Sequence, residues 1–475
     1  MKRILGRTWI IYMFVIAFII GLILLTFRTV TQASDWVDKP YNGHIAGESG
    51  LMRSGKILDR NGKVLAKTVD GKRKYNKDED VRKALLHVVG DDTLSISTAV
   101  LSRYRADLSG YNFIWGIDLP KSFRKGGDIT LTVDAETCKA AYNALKDYDS
   151  GACVIYNYRT GEVICDTCTK TYDPAHPPKI TKENEDEYKD VYYDKVLSFT
   201  YTPGSIFKIV TTVAAIENIP GVETETWNCQ GSHDFGGNTI DCAEGEAHGT
   251  ITLKEAFAHS CNYVFADLAV RLGQDKMNET AEKMGINTSF DINGIMTESG
   301  HFDVSGTDEH LLALSGIGQY DTKVNPMQMS ILASSIANGG TPIQPYIVDG
   351  NPGDMLKGFG FTKKGTKGSS LISSSTAEKL REYMLFAADK ADYSYKNYGW
   401  SVDGLTLCAK SGTGEIDTDG DGYANENDGW MVGFCADEDC PLAFACVVHG
   451  SSQYGMSTAG SVVRQALEQA KKVYK

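Results

Sequence analysis

The sequence predicts an α+β protein behind a single membrane-spanning helix, and three observations carry that prediction. Strand-like and helix-like segments fall in blocks instead of alternating, which argues against a doubly wound parallel sheet. Residues 9–27 form an uncharged apolar run, and no later segment is apolar enough to cross a bilayer. No internal repeat is present, so the rest of the 475 residues must build its core from distinct elements. Composition agrees, since 42% hydrophobic residues can bury a large core and exclude a disordered chain. A formal charge of −13 also excludes non-specific adhesion to nucleic acid.

Taken in order, Lys2, Arg3 and Arg7 precede the run WIIYMFVIAFIIGLILLTF. As a helix it is about 28 Å long, close to the roughly 30 Å hydrocarbon core. Cations before the run place residues 1–8 in the cytoplasm, with Trp9 and Tyr12 at the interface. The run is longer than the apolar part of a cleaved signal, and the stretch from Arg28 to Ala33 lacks a small-x-small site. Residues 28–130 then read as a small region in which Asn61-Gly62 turns between two short strands, followed by a short helix at 81–89. Near residue 129 a strand leads into a helix ending about Leu145, and residues 152–157 and 163–168 flank Arg159-Thr160-Gly161 as a hairpin. The polar stretch 173–195 is a loop. Helical periodicity dominates from 205 to about 329; strands return at 405–410, 430–435 and 442–449, and a helix closes the chain.

The chemistry concentrates in three short motifs. Ser205-Ile206-Phe207-Lys208 enters a helix, so the hydroxyl and amine share one face. A lysine held beside other cations and away from water can be neutral and accept the serine proton. Ser-x-x-Lys alone is weak, and Ser122-Phe123-Arg124-Lys125 is a second copy without helical context. Ser260-Cys261-Asn262, between two helical stretches, adds a second hydroxyl for proton relay and an amide for a peptide backbone. Lys410-Ser411-Gly412-Thr413 ends an alternating strand and brings a cation, hydroxyls and a backbone amide up to a substrate.

These three motifs in this order resemble the penicillin-binding proteins and serine β-lactamases. The wider likeness is to the class B penicillin-binding proteins. The stretch from Arg53 to Ala66 resembles their juxtamembrane segment, and the hairpin at 151–174 their first catalytic hairpin. Gly316-Ile317-Gly318-Gln319 and Asn325-Pro326-Met327-Gln328 match a further signature. The resemblance implies an antiparallel sheet flanked by helices plus an all-helical subdomain at 131–475, after a short pedestal at 28–130. It implies a peptidoglycan D,D-transpeptidase whose Ser205 attacks the penultimate D-Ala of a stem peptide while Lys208 takes its proton. Ser260 and Lys410 would relay protons, Asn262 would hold the donor, and Lys410 with Ser411, Gly412 and Thr413 would bind its carboxylate end. β-Lactam antibiotics would be trapped as the same acyl-enzyme, with no cofactor required. The pedestal is too short for a glycosyltransferase, so a separate membrane glycosyltransferase is the implied partner. A carboxypeptidase or β-lactamase on this fold, and a non-catalytic sensor or scaffold, are the competing readings. The anchor, the juxtamembrane match and the three intact motifs favour the transpeptidase.

Two metal sites are suggested. Cys229, Cys242, His248 and Cys261 follow Cys-x12-Cys-x5-His-x12-Cys, which suits tetrahedral zinc, and the arrangement resembles the zinc site of some elongation-type relatives. A Cys229–Cys242 disulfide with His248 incidental is the alternative. Asp417, Asp419, Asp421, Tyr423, Asn425 and Asp428 match the spacing of an EF-hand-type calcium loop, with Asp in place of Glu at the twelfth position; a solvated acidic turn is the alternative. Cys165 with Cys168, and Cys435 with Cys440, are spaced for disulfides across turns. Cys138, Cys153, Cys408 and Cys446 read as core thiols. His233, His259, His301 and His310 have no evident partners in the sequence.

Overall fold

A computed structural model describes residues 2–37, 54–109, 127–350, 365, 367–417 and 424–474. The chain opens with helix α1 (Lys2–Val37), whose segment Thr8–Thr29 has a mean hydropathy of 2.9 and is long and apolar enough to cross a membrane. Strands β1 (Ile57–Leu58), β2 (Val64–Val69) and β3 (Lys72–Tyr75) follow. The Asn61-Gly62 turn lies between β1 and β2, with Gly62 at φ 79°. Helix α2 (Glu79–Ala84) is capped by Asp78 and ends just before a second short helix, Leu86–Val89. Strand β4 (Ile129–Leu131) runs parallel to β1 and pairs on its other side with Val348–Gly350, so the first sheet borrows a strand from far along the chain. The boundary expected at 130/131 therefore falls inside a strand.

The second sheet carries the chemistry. Helix α3 (Ala135–Leu145) leads into the hairpin of β5 (Ser150–Asn157) and β6 (Val163–Thr169). Three later strands complete it: β7 (Leu407–Ile416), β8 (Glu426–Cys435) and β9 (Leu442–Ser451). Their antiparallel order is β7-β8-β9-β5-β6, which leaves β7 at one edge. Every residue of β5 and β6 is buried, as expected of strands covered on both faces. The lysine motif was expected to end a strand at Lys410; β7 instead continues to Ile416, because β8 matches it residue for residue from Leu407↔Cys435 to Ile416↔Glu426.

Residues 205–337 hold the helices α4 (Lys208–Asn218), α5 (Leu253–His259), α6 (Asn262–Lys283) and α7 (Pro326–Ala337), with a shorter helix, Glu309–Gly316, between the last two. They are not helical throughout. Between α4 and α5 the chain forms four short strands, Thr226–Cys229, Ser232–Phe235, Asn238–Asp241 and Gly249–Thr252. Gly236 and Gly237, at φ 62° and 87°, make the tight turn that breaks the helical pattern there.

One capping box ties these layers together. Asn325 caps α7, and its Nδ2 donates to the carbonyls of Leu197 and Phe199 at 3.2 and 2.8 Å. Gln328 completes the box, and its Nε2 donates to the carbonyls of Gly285 and Ile286 at 2.7 and 2.6 Å. Both side chains are almost fully buried. Asn325→Ala removes a cap and orphans buried carbonyls, so it should destabilise the protein by about 2–4 kcal/mol, read as a lowered unfolding midpoint in denaturant.

Candidate active site

Ser205 sits in a four-residue 3-10 turn, Gly204–Phe207, that runs directly into α4. The turn lies flat against the edge strand β7. A Cβ on Gly204, at φ 52°, would stand 2.1 Å from the carbonyl oxygen of Thr413, and one on Gly412 would meet Ile206 N at 2.8 Å. Glycine at both positions is what lets the serine and the Lys410 motif share one cleft.

The three motifs converge on two buried amines. Lys208 Nζ lies within hydrogen-bond distance of Ser205 Oγ at 3.0 Å, Ser260 Oγ at 3.2 Å, the Ser260 carbonyl at 2.6 Å and Asn262 Oδ1 at 2.7 Å. Lys410 Nζ donates to Ser260 Oγ at 3.0 Å and to the carbonyl of Ser411 at 2.8 Å. Neither lysine has exposed surface. Burial, with help from the neighbouring Lys410, holds the Lys208 amine well below its ordinary pKa, and burial pulls Lys410 down to about 7. Ser260 Oγ thus bridges an amine on α4 and an amine on β7. Ser260 itself is left-handed (φ 58°, ψ 36°) at the C-terminus of α5, a conformation uncommon for a residue other than glycine.

The remaining predicted residues take more specific places. Asn262 accepts from Lys208 and donates through Nδ2 to the Asp241 carbonyl at 2.7 Å, so both ends of its amide are engaged within the protein. Thr413 Oγ1 accepts the Gly455 N–H at 3.2 Å. The Ser411 N–H and hydroxyl both donate to Tyr395 Oη, at 3.0 and 3.2 Å. Tyr395 and Gln319 Oε1, which accepts from Glu415 N at 3.3 Å, both buttress β7. Gln319 belongs to a motif legible in the sequence, whereas nothing in the sequence singles out Tyr395.

The cysteine cluster assembles. Ligand atoms of Cys229, Cys242, His248 and Cys261 lie within 4.8 Å of one another. Sulfur separations of 3.7 Å (Cys229 to Cys242) and 3.8 Å (Cys242 to Cys261) match the roughly 3.8 Å edge of a tetrahedron with about 2.3 Å metal–sulfur bonds. Cys229 Sγ is 3.3 Å from His248 Nδ1. The donor set therefore fits zinc, and Cys261 is the N-cap of α6 between Ser260 and Asn262. All eleven cysteines are free thiols and buried, which removes the Cys229–Cys242 disulfide alternative. The two other expected disulfides are also corrected. Cys165 and Cys168 are three apart on β6 and so point to opposite faces, while Cys435 and Cys440 are both free thiols and buried.

The calcium expectation is corrected at its twelfth position. Asp428 lies within β8, is 2% exposed, and accepts the Thr202 N–H at 2.8 Å on one oxygen while pairing with His449 Nδ1 at 2.7 Å on the other. Its carboxylate is turned into the protein and is not a ligand in the 417–428 loop. Asn425 donates its N–H to the Ile416 carbonyl at 3.0 Å, and Asp417 directly follows the end of β7 at Ile416. Asp419, Asp421 and Tyr423, like Arg53 and the Ser122 to Lys125 copy, lie outside the described residues. Three of the histidines called partnerless gain partners: His233 stacks on Tyr263, His259 on Tyr393, and His301 pairs with Asp321 at 3.3 Å.

Comparisons with known proteins identify the family and the fold. Residues 151–468 match the family described as the penicillin binding protein transpeptidase domain. The chain is 26% identical to the peptidoglycan D,D-transpeptidase PbpA of Mycolicibacterium smegmatis, with 93% of each chain covered. It is 25% identical to penicillin-binding protein 3 of Bacillus subtilis, over 72% of this chain and 52% of that one. The fold superposes with a TM-score of 0.75 on penicillin-binding protein A of Mycobacterium tuberculosis, solved as its ceftriaxone acyl-enzyme, at 24% identity, covering 89% of this chain and all of that one. Pseudomonas aeruginosa PBP2 gives 0.70 at 22% identity, covering 88% of this chain and 95% of that one. With two buried lysines meeting at one serine hydroxyl and the family's domain matched across most of the chain, this protein belongs to the penicillin-binding protein transpeptidase family.

Proposed function

We propose that the protein is a peptidoglycan D,D-transpeptidase that works through a Ser205 acyl-enzyme. The observation that carries the reading is Ser260 Oγ, at 3.2 Å from Lys208 Nζ and 3.0 Å from Lys410 Nζ, with Ser205 Oγ 3.0 Å from Lys208. A neutral Lys208 takes the Ser205 proton as Oγ attacks the carbonyl of the penultimate D-Ala. The C–N bond breaks, and the proton reaches the departing D-Ala amine along Ser260 and Lys410. The amine of a second stem then attacks the ester, releasing the cross-linked peptide and returning the proton to Ser205. Lys410, Ser411, Gly412 and Thr413 line the edge where the donor's carboxylate end would lie, and the amides of Ser205 and Thr413 would meet the oxyanion. A β-lactam opens on the same serine. Asn262 would exchange one internal bond for the donor backbone.

Residues 9–27 anchor the protein in the cell membrane as a single pass, with residues 1–8 cytoplasmic and the pedestal (28–130) and transpeptidase region (131–475) outside. The charge order around the apolar helix supports that orientation. Glycan polymerisation then falls to a separate membrane glycosyltransferase. Cys229, Cys242, His248 and Cys261 would hold one zinc ion that braces the Ser260 loop.

Three outcomes follow. Ser205→Ala should abolish labelling by a fluorescent penicillin on a denaturing gel while leaving the unfolding midpoint within a few degrees; undiminished labelling would contradict the mechanism. Burial pulls the Lys410 amine down to about 7, and only its charged form attracts a carboxylate. The dissociation constant of the non-covalent complex with a carboxylate-bearing β-lactam should therefore rise by up to ~10-fold per pH unit above about pH 7, and Lys410→Met should flatten that profile. Dialysed protein should contain one equivalent of zinc, which Cys242→Ala loses with a fall in melting temperature; metal-free wild type would refute the zinc assignment.

A further inference from the structure

Thr202 stands at the root of the nucleophile turn, three residues before Ser205, and is 3% exposed. Each of its polar groups is held by a different side chain. Its N–H donates to Asp428 Oδ2 at 2.8 Å, its carbonyl accepts from Trp430 Nε1 at 2.9 Å, and its Oγ1 accepts from Lys323 Nζ at 2.8 Å. Two of the three holders, Asp428 and Trp430, lie on β8, the strand directly behind β7.

Asp428 is in turn held by its cross-strand partner. His449 on β9 is paired opposite it in the ladder, and His449 Nδ1 lies 2.7 Å from Asp428 Oδ1. One carboxylate oxygen faces the histidine and the other the threonine amide, so turning either bond out of line breaks the other. The imidazole lies against the ring of Tyr201, centroids 5.8 Å apart, with Glu426 and Lys195 the other charged groups facing it. A carboxylate bonded on both oxygens and nearly sealed from water is a rigid link between the sheet and the turn.

The geometry points to Asp428, oriented by His449, as a positioning residue for acyl transfer. It touches no reacting atom and acts through Thr202, fixing the upstream end of the turn whose downstream end is the first turn of α4. Ser205 Oγ must stay near its 3.0 Å separation from Lys208 Nζ for the proton to pass. Without Asp428 the upstream end keeps only the Trp430 and Lys323 bonds to Thr202 and its N–H is left unpaired, which lets that separation vary more and slows the chemical step more than it weakens non-covalent binding. The inference rests on the reading of Ser205 as nucleophile.

The test is the concentration dependence of β-lactam acylation by the full-length protein in detergent, which separates the non-covalent dissociation constant from the acylation rate constant. Asp428→Ala should lower the rate constant by ~10–100-fold while the dissociation constant stays within ~3-fold. Asp428→Asn keeps an acceptor for the Thr202 N–H and a donor for a neutral His449, and should recover most of the loss. A folded Asp428→Ala with the wild-type rate constant overturns the proposal, as does an Asp428→Asn no faster than Asp428→Ala. Should Asp428→Ala not fold, His449→Phe decides: a ~3–10-fold slower acylation supports the link, and an unchanged rate refutes it. Labelling that survives Ser205→Ala would overturn the nucleophile assignment itself, and this proposal with it.

Discussion

A lysine amine with no exposed surface, surrounded by hydroxyls and carbonyl oxygens, is the constraint on which the site depends. A charged ammonium sealed from water carries a desolvation cost of several kcal/mol. The protein around Lys208 supplies four hydrogen-bond partners but no carboxylate, and places a second amine close by. Burial and the second amine favour the neutral form, against the acceptors around it, and a neutral amine beside a serine hydroxyl is a base. The edge position of β7, the glycines that let the turn lie on it, and the left-handed Ser260 all serve to bring that amine, Ser205 and Lys410 together.

In the proposed mechanism the two lysines divide the work because their surroundings differ. Lys208 lies at the meeting point of α4 and the Ser260–Asn262 corner, with Lys410 as a further depressing charge. Lys410 is lowered by burial alone and only to about 7, so it can still carry charge near neutrality. Ser260 links them, and any displacement of the α5–α6 corner changes both contacts at once. Cys261, in the middle of that corner, joins it to the cysteine–histidine cluster, so that under the proposed mechanism the cluster would fasten the proton path.

Much of this was legible in the sequence, for definite reasons. Motifs whose chemistry acts within one turn, such as Ser205 with Lys208, can be read from spacing because a helix converts spacing directly into proximity. The hairpin at 150–169 and the Asn61-Gly62 turn were legible because turn residues announce backbone conformation. Asp428 was misread because spacing within a presumed loop says nothing about where a strand begins. Once β8 starts at Glu426, alternation turns Asp428 inward towards Thr202 and His449, partners distant in the chain. His449 and Tyr395 were missed for the same reason, as each matters through one long-range contact. The four strands at 226–252 were hidden by the helical pattern on both sides, though they and their connections bring Cys229, Cys242 and His248 to Cys261.

The most direct test of the account is the protonation state of Lys208. The 15Nζ resonance of lysine-labelled protein, assigned by loss in Lys208→Arg, reports whether the nitrogen is an amine or an ammonium. The account predicts a neutral amine at pH 7 that becomes charged only under more acidic conditions. A Lys208 that is still an ammonium at pH 7 would contradict it, and Ser205 would then need another base.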